Sequence, residues 1–357
     1  MRTLPSAPFT RDETDVAYIM NQVLLALTPA TAFGLLLFGL PAIYLFVVTV
    51  ASAVAWEALC LTVAGRPVRP TLRDRSAVLT GWLLAMSLPP WAPWWIGVVG
   101  GFLAIVVGKH VYGGLGQNLF NPAMLARVAL LVSFPVEMTR FVDPLVWSDL
   151  PAPGPVDAWR IIFGGVAIPD GYTGATLIGN LKTEFSQGLG VQEAYQSSSY
   201  SLFGSLVGFI RGSLGETSAV ALAAGGLWLI RRRIISWHIP VSLLLTVALL
   251  ATVFSLIDSN RYPGPLFHLS SGAMMLLCFF IATDYVTSPN TAAGRVLFGC
   301  GCGVTVFVIR TWGAYPEGAG FAVLLMNALT PIIDHYIRPR IYGRDRKRRP
   351  LELEGRG

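Results

Sequence analysis

Long apolar runs alternate with short polar, glycine- or proline-bearing breaks along nearly the whole chain. The runs fall at about 20–40, 41–64, 76–89, 92–108, 117–134, 216–230, 237–257, 268–282, 293–311 and 318–337. A helix needs roughly 20 residues to cross the hydrocarbon core, so this pattern predicts about ten transmembrane helices, several of them short. Ser76 to Leu88 would reach only ~20 Å before Pro89 and Pro90 stop it, which predicts a broken or tilted helix. The one long polar connection, 135–215, mixes Trp147, Trp159, Phe163 and Tyr195 with repeated glycine and proline. Such a mixture predicts an ordered cap. The expected organisation is therefore an amino-terminal segment at 1–19, a membrane repeat at 20–134, the loop region at 135–215, a second membrane repeat at 216–337 and a basic tail at 338–357.

The two membrane stretches echo each other. SAVLTGWLLAMSLPP (76–90) and SGAMMLLCFFIATDYVTSP (271–289) are short apolar helices that end in a proline-containing turn. A glycine-rich span follows each, with Gly97, Gly100 and Gly101 in the first and Gly299, Gly301 and Gly303 in the second. Each span closes in a cation and a glycine-rich loop, Lys109 before YGGLGQNLFNPA and Arg310 before TWGAYPEGAGFA. Because the first short helix runs outward and the second inward, the expected fold is all-α and polytopic, in two inverted five-helix repeats with broken helices and one external cap.

Composition agrees: 54% of the 357 residues are hydrophobic and 13% charged, with a mean hydropathy of +0.59, which excludes an ordinary soluble fold. The net charge of +6 does not indicate nucleic acid, because Arg344, Arg346, Lys347, Arg348 and Arg349 crowd one tail beside a final span. Arg66, Arg69, Arg73 and Arg75 follow the second span and Arg231 to Arg233 the sixth, so the positive-inside rule places both termini in the cytoplasm. The loop at 135–215, with Arg140, Arg160, Lys182 and Arg211, then lies outside it. Cys60, Cys278, Cys300 and Cys302 show no C-x-x-C spacing and indicate neither a cluster nor a disulfide. His110, His238, His268 and His335 are scattered, so no metal site is expected, and each is expected to make a helix-end hydrogen bond.

Within the loop, Asp170-Gly-Tyr-Thr173-Gly174-Ala175-Thr176-Leu177 offers a hydroxyl, Thr176, on backbone with little side-chain cover, and Gly171 and Gly174 permit positive-φ turns that would present it at a loop tip. In GLGQNLFNPA, Asn118 and Asn121 stand at i, i+3 before Pro122, a helix-start pattern able to meet a polar ring edge or to satisfy a broken helix's own backbone. Asp284 and Glu57 are carboxylates at membrane depth and hence candidates for ion coupling. Capping the break through Thr287 or Ser288 is the cheaper role for Asp284. Pairing with Lys109 or Arg127 is the alternative for Glu57.

The Thr-Gly-Ala-Thr segment resembles the flavin-attachment signature of the membrane D component of the Rnf electron-transport complex and of the B component of the sodium-pumping NADH:quinone reductase. DRSAVLTGWLLAMSLPP (74–90), GKHVYGGLGQNLFNPAM (108–124), FHLSSG (267–272), IATDYVTSP (281–289) and RTWGAYPEGAGFAVLLMNALTPIID (310–334) look like blocks of the Rnf D component, and the resemblance covers about 20–337. Threonine at 173 stands where many relatives have serine. The resemblance implies FMN joined through its phosphate to Thr176, with Thr173, Gly174 and Ala175 as the attachment motif, which would make the threonine a phosphorylated residue. It further implies a noncovalent riboflavin near Asn118 and Asn121, and coupling of electron transfer between ferredoxin and NAD pools to Na⁺ or H⁺ movement across the bacterial inner membrane. Implied partners are the other Rnf-type subunits, including an external FMN-bearing subunit and membrane iron-sulfur subunits, a flavin transferase, and membrane lipid. On this reading the chain is a translocase subunit without catalytic activity alone. The alternative from another class is a secondary transporter, since inverted repeats with broken helices are what carriers use.

Overall fold

The computed structural model describes residues 15–145, 151–166, 168, 172–198, 200–315 and 317–339. Trp147, Asp170, Gly171 and the basic tail from residue 340 on lie outside them. The first two predicted spans form one kinked helix, α1 (Val16–Val63), whose 48 residues bend where Gly39 adopts φ +72° just before Pro41. A Cβ at Gly39 would be strained by that φ and would sit 2.8 Å from Leu145. Trp91, almost fully buried, donates its indole N–H to the Phe38 carbonyl at 2.9 Å, satisfying an acceptor at the kink. The short α2 (Val68–Leu72) leads to α3 (Ser76–Ser87), which ends at the two prolines as expected. Next, α4 (Trp94–Phe102) continues into a π-helical stretch at Leu103–His110, Gly113, Gly114 and Gly116 take positive φ in the loop that follows, and α5 (Pro122–Ser133) starts later than its apolar run, at the Asn121 cap with Pro122 in the first turn.

The described part of the long connection contains α6 (Pro135–Thr139), β1 (Phe141–Val142), α7 (Pro155–Phe163), β2 (Thr173–Gly174), α8 (Leu177–Ser186), α9 (Val191–Ser197) and α10 (Leu202–Val207), which together form the cap. After a 3₁₀ turn at Leu214–Glu216, the second half comprises α11 (Ala219–Arg231), α12 (His238–Ile257), α13 (Pro265–Ser270), α14 (Met274–Leu276) with a π turn to Ile281, α15 (Ala292–Trp312) and α16 (Ala319–Tyr336). The run expected at 268–282 is split at Gly272, φ +66°. Among the described residues, α1, α12 and α15 are each long and apolar enough to cross a membrane, and α3, α4 with its π extension, α5 and α11 are shorter apolar helices.

The outer faces are as apolar as the core: Leu36 is 75% exposed and Leu256 81%. Hydrophobic all-round helices belong in lipid, and the fold is an all-α polytopic membrane protein. The halves correspond in detail. In the first, a Cβ on Gly97 or Gly101 of α4 would strike Thr49 or Ser52 of α1; in the second, a Cβ on Gly299 or Gly303 of α15 would meet the Ile239 carbonyl at 2.8 Å or the Leu243 carbonyl at 2.9 Å in α12. Small residues four apart let each helix pair approach at backbone distance. The cation ending each glycine-rich span returns to the start of its own short helix, Lys109 Nζ to Ser76 Oγ at 2.8 Å and Arg310 Nη2 to the Ser271 carbonyl at 3.0 Å.

Candidate cofactor sites in the cap and the membrane cleft

Thr176 heads α8. Its backbone is extended and its Oγ1 accepts a hydrogen bond from Gly179 N–H at 3.2 Å, an N-cap arrangement that leaves the residue 3% exposed. This corrects the loop-tip expectation, because the hydroxyl is buried at a helix start. Gly174 likewise takes no positive φ. It pairs with Phe141 in an antiparallel ladder, Thr173 pairing with Val142, and an added Cβ would meet the Arg211 guanidinium, which would have to shift. Arg211 forms a bidentate pair with Asp143 through Nε to Oδ1 and Nη2 to Oδ2, the latter 2.6 Å, and this hydrogen bonding pushes the guanidinium above its ordinary range. Beside them opens a cleft of about 930 Å³ lined by Ala175, Leu177, Asn180, Tyr200, Phe209 and Arg211.

A second cation fastens α8 to the membrane helices. Lys182 Nζ donates to the carbonyls of Ile309 and Gly313 at 2.8 Å each and of Tyr315 at 2.6 Å, closing the end of α15. Burial pushes this ammonium down to about 8. Since its folded value lies below that of the free side chain, the cost of holding the charge opposes folding in full below about pH 8 and fades as the pH rises from there toward the ordinary lysine value. Lys182→Met strips three partly hydrated carbonyls of their donor and should loosen the cap by about 1–3 kcal/mol. Faster limited proteolysis within 172–198 would show it; an unchanged cleavage rate would mean that the cap is held by its apolar contacts alone.

In the membrane, Asn118, Asn121, Lys109 and Asp284 line one cleft of about 850 Å³, with Thr80 and Phe279 among its walls. Asn121 is the N-cap of α5 and accepts from Met124 N–H at 3.2 Å, with Pro122 in the first turn. Asn118 lies before the helix and donates to the Phe120 carbonyl at 3.1 Å. The two asparagines therefore do not share a helix face, as their spacing suggested, but they do share the cleft. Asp284 accepts from the Thr287 hydroxyl at 3.0 Å, which is the capping role, while facing the same space. Glu57, 2% exposed, pairs with Lys109 at 2.9 Å and faces His110 Nε2 at 3.1 Å. Lys109 lines the cleft and Glu57 stands behind it, and His110 meets a carboxylate where a helix-end contact was expected.

The cleft joins the two halves crosswise: the loop of the first half faces the π turn and break of the second. A smaller cleft of about 470 Å³ has the converse make-up, with Ser87 at the end of α3 opposite Glu317, Ala319 and Gly320 of the second loop, and Arg127 and Glu216 between. Sequence reasoning did not assign Arg211, Lys182 or Glu216 a role, and it offered Arg127 only as an alternative partner for Glu57, a place that Lys109 takes. The first two did carry a signal, being two of the four basic residues noted in the loop region.

A polytopic helical membrane protein with crossed clefts between two similar halves, capped by a loop region in which a short antiparallel ladder leads into Thr-Gly-Ala-Thr, is the class these features define. The model of the NQR2, RnfD, RnfE family matches residues 3–343, and the chain belongs to that family. It is 52% identical to the D component of the ion-translocating oxidoreductase complex of Halorhodospira halophila over the full length of both chains. It is 54% identical to the corresponding protein of Stutzerimonas stutzeri over 95% of each chain, and 42% identical to that of Escherichia fergusonii over 95% of this chain and 98% of the relative.

Proposed function

We propose that this chain is the membrane subunit of an Rnf-type ion-translocating oxidoreductase complex, and that it carries electrons through FMN esterified to Thr176. Full-length similarity to proteins bearing that complex's name supports the first part. The observation that carries the second is the setting of Thr176, whose hydroxyl begins a ten-residue helix beside a cleft and across Gly174 from an arginine. These residues suit a phosphoester. A helix start offers backbone N–H groups and positive potential, Arg211 offers a guanidinium, and Leu177, Tyr200 and Phe209 offer apolar wall to a flat ring. FMN bound there supplies one- and two-electron redox chemistry. The chain supplies position: the Asp143 pair fixes Arg211, the β1–β2 ladder holds Thr173 and Gly174, and Lys182 fastens α8 to α15.

The membrane cleft at Asn118 and Asn121 is the site proposed for a second, noncovalent flavin such as riboflavin; its enclosed volume of about 110 Å³ lies below the roughly 300–1,000 Å³ usual for such ligands, so binding there requires the walls to part. Asp284 is the ion-coupling candidate that faces this space, with Glu57 behind Lys109 as the other. In this proposal the cap lies on the periplasmic side of the inner membrane and both termini in the cytoplasm. Electrons enter from an external flavin-bearing subunit, membrane iron-sulfur subunits adjoin the chain, a flavin transferase modifies it, and the complex links ferredoxin and NAD pools to Na⁺ or H⁺ movement.

Flavin fluorescence of the denatured polypeptide, wild type against Thr176→Ala, tests the flavin reading; a colourless wild-type band from cells with an active transferase would favour a carrier instead. Asp284→Asn tests the coupling role. Asparagine keeps an acceptor for Thr287, so the turn should persist while ion translocation falls and flavin content stays unchanged. If both electron transfer and ion pumping survive, Asp284 serves only the turn.

A further inference from the structure

A fourth cleft, of about 1,230 Å³, lies between α8 of the cap, the α12–α13 connection at 260–263, α13 and the end of α15. It is separate from the cleft beside Thr176: Ile178, Leu181, Lys182 and Phe185 face it, whereas Leu177 and Asn180 face the other, so the two clefts occupy different sides of one helix. Its charged lining is wholly basic, Lys182, Arg261 and Arg310, and no carboxylate lines it among the described residues. Two of its polar side chains are deeply buried and yet incompletely paired. His268 and Arg310 are each 4% exposed, and His268 Nδ1 and Arg310 Nε have no hydrogen-bond partner among the described residues; the same is true of Thr311 Oγ1. The rest of Arg310 is committed, Nη1 to the His268 carbonyl at 2.8 Å and Nη2 to Ser271 and Glu317, which leaves the Nε edge. Buried donors left unpaired in a basic cleft are costly in isolation and are met by an anion with several acceptor oxygens.

The surroundings say where that anion comes from. The last turn of α12, which leads into the cleft, exposes Val253, Leu256 and Ile257, and Trp312 at the rim is half exposed. Tyr262 stands beside it with the Arg261 guanidinium 5.8 Å from its ring centre. Tryptophan and tyrosine beside arginine, at the end of an outward-facing apolar helix, mark the headgroup level of a bilayer. We infer that this cleft binds the phosphate of an anionic phospholipid, with Arg261 and the Arg310 Nε edge contacting the phosphate, Thr311 and His268 supplying further polar contacts, and the acyl chains lying along the end of α12. The lipid wedges the cap against the bundle at the joint that Lys182 fastens. This inference stands independently of the flavin on Thr176.

The test uses the purified complex containing the full chain, delipidated in detergent and titrated with phosphatidylglycerol or phosphatidylcholine, with retained lipid counted by native mass spectrometry. Phosphatidylglycerol should be retained in preference to phosphatidylcholine. Arg261→Gln, at the rim, should lower that retention about fivefold, the size of one basic residue's contribution at an anionic surface. Thr311→Val should lower it as well, with flavin content unchanged in both variants. Equal retention of the two lipids, or retention unmoved by both substitutions, overturns the inference. So does inorganic phosphate displacing the lipid at equal concentration, because the occupant would then be a free anion.

Discussion

Thr176→Ala should abolish the flavin fluorescence of the denatured polypeptide and the electron transfer of the assembled complex, while the chain still inserts and assembles. The two effects separate because they have different sizes. As an N-cap, Thr176 receives one hydrogen bond from Gly179, and its loss costs about 0.5–2 kcal/mol, too little to unfold a bundle of many packed helices. As an attachment point it is indispensable, since alanine has no oxygen to esterify. Thr176→Ser is the control, keeping both the cap and the hydroxyl, and it should retain flavin. A fluorescent Thr176→Ala band would move the attachment elsewhere in the chain. A dark wild-type band beside a modified partner protein would remove the covalent flavin altogether. Because Thr176 is 3% exposed, the transferase must reach it with α8 displaced, and modification should accordingly be slower on the folded chain than on a cap opened by Lys182→Met.

Lys109→Met should be the most destabilising single change in the membrane region. It leaves Glu57, 2% exposed, without the ammonium 2.9 Å away, and removing one member of a buried pair typically costs about 3–5 kcal/mol because the other charge remains. The double variant Lys109→Met with Glu57→Gln should recover most of the loss, since no buried charge is then stranded. Thermal unfolding of the purified complex, for wild type, Lys109→Met, Glu57→Gln alone and the double variant, measures the coupling. If the double variant is no more stable than Lys109→Met alone, the lysine acts chiefly through Ser76, to which it also donates, and the carboxylate pairing is incidental.

The spans were legible because each depends on a local property. Apolar run length, a proline pair after Ser87, and Gly39 beside Pro41 locate helices and breaks without reference to anything distant. The exceptions are local too. The Asn121 cap with Pro122 sets the start of α5, and Gly272 splits the run after His268. The site was partly legible for the same reason: Asn121 before Pro122 is a recognisable helix start, whereas Thr176, expected at a loop tip, turned out to cap α8, and glycine at 174 suggested a turn where the chain instead forms a ladder beside Arg211.

The sequence by itself determined the class, the stretches that form apolar helices, the likeness of the two halves and the residue that heads α5, because propensity, capping and hydrophobic run length act over a few residues. Only the tertiary structure decided which charges meet. Lys109 and Glu57 are 52 residues apart, Arg211 and Asp143 68, and Lys182 and the Gly313 carbonyl 131. Their pairing follows from how helices cross and cap in three dimensions. The burial of Thr176 and the crossed clefts between the halves have that origin as well, since a hydroxyl is covered, or a cleft walled, by whatever distant segment packs beside it.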